Sequence, residues 1–215
     1  MIQTRRSSYL LVSGVVITAL LHVILILFAP HLHPIYTVVS VSVWSIAIII
    51  AIVRNPDPAL FRKWGFRTDN LAAAFVAPTA YALFALVIMA LIGRQRGSLT
   101  LPLHSLIVFA LYPIWGLVQQ FLLQAVLIGS IERPTGLRSK PWFLAIVSGL
   151  LFGAIHPPFL LLMLATALMA LGFTPMYLRW RNLWPLGLYH GLLGVLILYW
   201  VLGKDVWLDA LKLFN

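Results

Sequence analysis

Cysteine is absent from all 215 residues, which excludes disulfides, thiolate catalysis and thiolate-ligated metal. Charge is nearly as scarce. Charged residues make up 9% of the chain and hydrophobic residues 62%, with a mean hydropathy of +1.00. Soluble domains carry about 25% charged residues, so the chain reads as an integral membrane protein. Acids are the rarest charges. Asp57, Asp69, Glu132, Asp205 and Asp209 all lie outside the apolar runs, so no carboxylate is expected within the bilayer and proton or ion coupling by a transporter has no candidate group. What is present instead is a net charge of +10. The basic residues stand singly or in pairs between apolar stretches rather than along one face. They read as topology determinants, and no nucleic-acid partner is expected.

The apolar runs predict a single all-α domain over 1–215, a polytopic transmembrane helix bundle. About seven spans are expected, each near the roughly 20 residues needed to cross: Tyr9 to Phe28, Ile35 to Val53, Leu71 to Ile92, His104 to Ile131, Trp142 to His156, Phe159 to Leu178 and Trp184 to Leu202. Joining the fifth and sixth into one helix would give a rod of about 55 Å at 1.5 Å per residue, far more than a hydrocarbon core of about 30 Å. The break at Pro157 and Pro158 is therefore taken as real. Arg5 and Arg6 precede an apolar run with no clear small-residue cleavage site, which predicts a retained first span. With a cytoplasmic N-terminus, Arg5, Arg6, Arg54, Arg62, Lys63, Arg67, Arg133, Arg138, Lys140, Arg179 and Arg181 lie inside, and only Arg94, Arg96, Lys204 and Lys212 lie outside. That bias fits the positive-inside rule. Residues 58–70 (Leu60, Phe61, Trp64 and Phe66 among Arg62, Lys63 and Arg67) and 204–214 (Trp207, Ala210, Leu211 and Phe214 on one face) are expected to lie in the interface.

Inside those spans a few polar residues stand out. On a helix Gly116, Gln120 and Gln124 share one face, with Gln119 about a third of a turn away. His156 follows Gly149, Phe152 and Gly153 on one face of the fifth span, and His190 shares its face with Gly187 and Gly194. Small residues let helices approach closely, so these faces are expected to look into the bundle. Depths of about 18, 24 and 14 Å from Glu132, Lys140 and Arg181 place Gln120, His156 and His190 close enough for one polar cavity. Each alone could serve as interhelical hydrogen-bond glue, worth about 0.6 kcal/mol. Five polar groups on three glycine-faced helices favour a site. His22 and His104 lack such company and are taken as structural. His31 and His33, between Pro30 and Pro34, read as a solvated turn in preference to a metal pair.

The order of these residues resembles a known family. Phe152-Gly-Ala-Ile-His156, then Arg181-Asn-Leu-Trp-Pro185, then His190 are similar to the motifs of the CAAX protease and bacteriocin-processing (CPBP) family of intramembrane endopeptidases, over about Leu101 to Tyr199. The resemblance implies an intramembrane CAAX-protease-like hydrolase fold in a bacterial or archaeal plasma membrane. It also implies catalytic positions at Gln119, Gln120, His156 and His190, supported by Gln124, Phe152 and Gly194. In the family the first motif carries two glutamates and an arginine, and the last histidine is followed four residues later by Asn or Asp. Here Gln119, Gln120, Gln124 and Gly194 stand in those places. Glutamine has nearly the shape of glutamate but accepts no proton. Acids and base are replaced together, which avoids stranding a buried arginine.

Two functions follow. One is an endopeptidase using His156 or His190 as general base and Gln119 or Gln120 to polarise the scissile carbonyl, acting on a prenylated or transmembrane peptide. The other is a pseudoenzyme that keeps the groove to hold a lipid-like ligand or the transmembrane helix of a partner membrane protein. Membrane lipid is a partner in either case. No cofactor is expected: macrocycle ligation by the histidines has no attachment motif beside it. No metal is expected either, since two histidines without a carboxylate fall short of the usual three protein ligands.

Overall fold

The computed structural model describes residues 5–54, 58–135 and 140–211. Asp57, Arg138, Lys212 and Phe214 of the sequence reading lie outside them, and so do the side chains of Arg5, Arg6 and Arg133. Backbone amides in hydrocarbon have no water to bond, so the long apolar runs form helices. These are α1 (Arg5–Phe28), α2 (His33–Arg54), α3 (Pro58–Trp64), α4 (Leu71–Arg96), α5 (Ser105–Gln120), α6 (Gly129–Thr135), α7 (Pro141–Ala154), α8 (Leu160–Trp180), α9 (Trp184–Leu196) and α10 (Val206–Leu211). A π-helical stretch, Phe121–Ile128, joins α5 to α6, and a second, Ile197–Val201, prolongs α9.

Among the described residues, six helices are long and apolar enough to cross a membrane. The fifth of the seven expected spans differs. It is helical over only 14 residues, Pro141–Ala154, or about 21 Å at 1.5 Å per residue. Pro141 opens the helix, where its missing N–H is not needed, and the chain leaves it before Pro157 and Pro158. The chain still changes ends here, because α7 packs antiparallel along α8.

α5 packs along α9, α4 lies against both α8 and α9, and α1 leans on the π stretch. Phe121, Ile128, Leu144, Phe173, Leu183 and Leu186 fill the centre. Large apolar side chains of α1 and α2, among them Leu10, Phe28 and Val53, are exposed as lipid-facing residues should be.

Two polar knots fix the ends of the bundle. At one end the Asn182 amide donates to the Arg67 carbonyl at 2.9 Å and to Asn70 Oδ1 at 2.8 Å, while Asn70 Nδ2 donates to the Trp180 carbonyl at 2.7 Å. Leu183 N–H donates to the Gly65 carbonyl at 2.7 Å. Gly65 has φ +96°, where a Cβ would be strained and would also meet Leu183 and Tyr177 at 3.0 Å. Arg181, itself left-handed at φ 48°, pairs with Glu132 and lies over the Tyr177 ring. Glu132 thus closes the α5–α6 rod as a buried, paired acid. At the other end Arg96 Nη1 donates to the Val201 carbonyl at 2.9 Å and Ser98 Oγ to the Trp200 carbonyl at 2.6 Å. His104 Nε2 donates to Asp205 at 2.6 Å, and Lys204 Nζ sits 3.9 Å from the Phe159 ring centroid.

The two segments expected at the interface are partly docked. Trp64 and Phe66 pack on Phe121 at 5.4 and 5.8 Å between ring centroids. Trp207 packs against the Val108, Val195 and Tyr199 cluster, whereas Leu208 and Leu211 stay exposed.

Candidate functional site

The site is built where α5 and α9 touch backbone to backbone. A Cβ on Gly116 would lie 2.5 Å from the Gly187 carbonyl oxygen, and one on Gly191 would lie 2.4 Å from Pro113 Cα. Only glycine permits this approach. It brings Gln120 of α5 against His190 of α9, at 3.1 Å between Nε2 and Nδ1. Gln124 Nε2 donates to Gln120 Oε1 at 3.4 Å and to Thr174 Oγ1 of α8 at 3.1 Å. Since the Gln120 oxygen is taken by Gln124, its NH2 group faces His190. Nδ1 of His190 therefore accepts, and the ring proton belongs on Nε2. Gln120 and Gln124 are both fully buried.

α7 delivers His156 from the opposite side. Gly149 and Gly153 do look into the bundle, meeting the Ala167 and Met163 carbonyls of α8. His156 Nδ1 lies 2.6 Å from the Phe152 carbonyl oxygen. A carbonyl can only accept, so Nδ1 carries the proton and Nε2 keeps its lone pair. The Phe152 ring stands between the two imidazoles, 4.7 Å from His156 and 5.5 Å from His190 by ring centroids. Gly194 leaves room for Tyr112, whose ring a Cβ would meet at 2.8 Å.

A cavity of about 300 Å³ runs from this network toward the Lys204 end. Half-buried Gln119 and buried His156 and His190 line one part; Tyr81, Met89, Trp115, Leu162 and Leu193 form apolar walls; half-buried Lys204 and exposed Asp209 stand at its mouth. Gln119 thus shares the cavity with both histidines, while Gln120 and Gln124 form the layer behind. The pocket is free of formal charge only in the part that Gln119, His156 and His190 line.

Sequence reasoning missed His22 and His33. Both line the cavity, with His33 Nε2 and His22 Nδ1 3.2 Å apart and the His22 ring 6.0 Å from that of His156. Of the two histidines expected in a solvated turn, His31 is exposed and His33 is not. The signal was available: a short turn between α1 and α2 places residues just before and just after it at one level. His104 is structural as expected, held by Asp205. Among the described residues no group of three or more His, Cys, Asp or Glu forms a metal-binding cluster.

Residues 102–196 match the family model described as Type II CAAX prenyl endopeptidase Rce1-like. Over those residues the chain is similar to that family. That match runs from just before α5 to the end of α9 and so contains Gln119, Gln120, Gln124, Phe152, His156, His190 and Gly194. No curated protein and no solved structure matches the chain. The matched segment supplies Gln119, His156 and His190, and α1, α2 and the segment after Val201 supply His22, His33, Lys204 and Asp209.

Proposed function

We propose that this Rce1-like membrane protein holds a lipid-like ligand in the α5–α9 cavity and does not cut peptide bonds. The observation that carries the reading is the state of the two amides. Gln120 and Gln124 are fully buried and engaged with His190, Thr174 and one another. Neither can take a proton from water, and among the described residues the only carboxylate lining the cavity, Asp209, is at the mouth. A protease of this design lacks the acid that would activate water or orient its histidine. The largely apolar walls with a few polar groups among them are the lining that a lipid-like chain requires.

The test is a variant combining Gln119→Glu, Gln120→Glu and Gln124→Arg, compared with the parent on a fluorogenic prenylated peptide in detergent. Cleavage by the variant alone is the expected result. Cleavage by the parent that His156→Ala abolishes overturns the reading. One observation favours that second outcome: the Phe152 carbonyl fixes the His156 tautomer with Nε2 unprotonated, as a general base requires. In that mechanism His156 Nε2 takes a proton from the attacking water and the Gln119 amide donates to the oxyanion.

A further inference from the structure

The cavity reaches only one end of the bundle, and the charges say which end that is. Its lining comes from the last turns of α1 (His22, Ile26), the first turns of α2 (His33, Thr37), the start of α8 (Phe159, Leu162) and the chain after α9 (Lys204, Asp209). All of these lie at the end where Arg96 meets Val201, His104 meets Asp205 and Lys204 covers Phe159. The opposite end is the one tied by Gly65, Asn70, Glu132, Trp180, Asn182 and Leu183. No lining residue belongs to that knot.

Lys and Arg divide unequally between the two ends. Among the described residues Arg54, Arg62, Lys63, Arg67, Lys140, Arg179 and Arg181 sit at the knotted end, and Arg94, Arg96 and Lys204 at the cavity end. Basic residues flanking spans are retained on the cytoplasmic side. The knotted end is therefore cytoplasmic, and the cavity opens on the opposite face.

We propose that the site loads from the non-cytoplasmic side, taking the apolar chain of an outer-leaflet amphiphile whose head stays at the Lys204 and Asp209 mouth. The apolar walls receive the chain, and Gln119, His156 and His190 at the bottom offer hydrogen bonds to a polar group carried at its end. This rests on reading the cavity as a ligand site. It also restricts the substrate class: a protein prenylated in the cytoplasm does not reach this mouth.

The absence of cysteine makes the test direct, because each introduced thiol is the only one. Asp209→Cys at the mouth and Leu208→Cys, exposed on the same short helix, report the cavity end, and Lys63→Cys, exposed on α3, reports the other. A membrane-impermeant maleimide added to intact cells is expected to label Asp209→Cys and Leu208→Cys fully. Lys63→Cys is expected to react only after permeabilisation. The reverse pattern, or labelling of both ends only after permeabilisation, overturns the proposal. A second measurement separates side from ligand. Lysophosphatidylcholine carrying an ω-hydroxyacyl chain, added to intact cells, is expected to slow labelling of Thr37→Cys, which lines the cavity, but not of Leu208→Cys. Correct sidedness without that protection overturns the amphiphile and leaves the cavity's orientation standing.

Discussion

Replacing Gly191 with alanine tests the geometry on which the site depends. The added Cβ would stand 2.4 Å from Pro113 Cα, 2.5 Å from Pro113 N and 2.8 Å from the Tyr112 carbonyl carbon. Ordinary contact begins near 3.4 Å, so α9 must withdraw by about 1 Å, and no rotamer change relieves a clash with backbone. Overpacking of this kind costs about 1–3 kcal/mol. The same withdrawal stretches the 3.1 Å bond between Gln120 and His190 beyond hydrogen-bond length, a further loss of about 0.6–1.7 kcal/mol. Alanine returns up to about 1 kcal/mol through its helix propensity. The net expectation is a destabilisation of about 1–3 kcal/mol, which at about 2–4 °C per kcal/mol lowers the melting midpoint by several degrees. Midpoints of parent and variant in one detergent at one scan rate make the comparison. Gly14→Ala is the control, since its Cβ meets only the Trp44 ring edge at 3.2 Å, and a side chain can yield. Combining Gly116→Ala with Gly191→Ala should lower the midpoint by less than the two single changes together, because one withdrawal of α9 relieves both clashes. A Gly191→Ala protein melting at or above the parent would refute the backbone-to-backbone contact and, with it, the placement of Gln120 against His190.

Two further outcomes follow from the knots. Asn182→Ala removes two donated bonds and the acceptor for the Trp184 N–H at 3.0 Å, and leaves buried partners unpaired. A loss of about 2–4 kcal/mol is expected in the same melting assay, and cleavage of the 65–70 segment by protease should accelerate. At the other end, partial burial raises the Asp205 carboxyl, but hydrogen bonds from His104, the Leu208 N–H and the Tyr199 hydroxyl outweigh it and hold the group below its usual range. A lowered folded-state pKa means that this stabilisation is complete above the ordinary carboxylate range and is lost as pH falls through the lowered value. The midpoint difference between parent and Asp205→Asn should therefore shrink in acid and stay constant near neutrality.

The membrane class, the helices and the facing glycines were legible because each follows from local chemistry. Apolar runs of about 20 residues leave helices as their only solution in lipid, and glycines on the faces of Gln120, His156 and His190 announced close packing before any coordinate did. Two things were not legible, and a third was legible but passed over. The length of α7 depends on where the chain bends ahead of Pro157 and Pro158, which periodicity does not specify. The docking of Trp64 and Phe66 on Phe121 was hidden because an aromatic segment among basic residues reads equally well as a membrane-surface helix. His22 and His33 were judged one at a time, whereas their role depends on the hairpin that sets them side by side. The aromatic docking of the 58–70 segment and the paired histidines of α1 and α2 involve chain outside residues 102–196, whereas the shortened α7 lies within them.

The π stretch bears on whether the amides are glue or site. From Phe121 the helix widens, and the Gly129 N–H reaches back five residues to the Gln124 carbonyl. Such insertions are rare and concentrate at functional sites. Gln124 emerges there with its Nε2 satisfied by Gln120 and Thr174 and its Oε1 buried with no partner among the described residues. Two interhelical bonds, to His190 and to Thr174, at about 0.6 kcal/mol each come to roughly 1 kcal/mol, and one orphaned buried acceptor costs about 1–3 kcal/mol. The network is then close to neutral for stability, no better than leucines would give at the same positions. Polar groups that do not stabilise the bundle, held on a distorted helix behind a cavity lined by His22, His33, His156 and His190, support the proposal that the cavity is a ligand site.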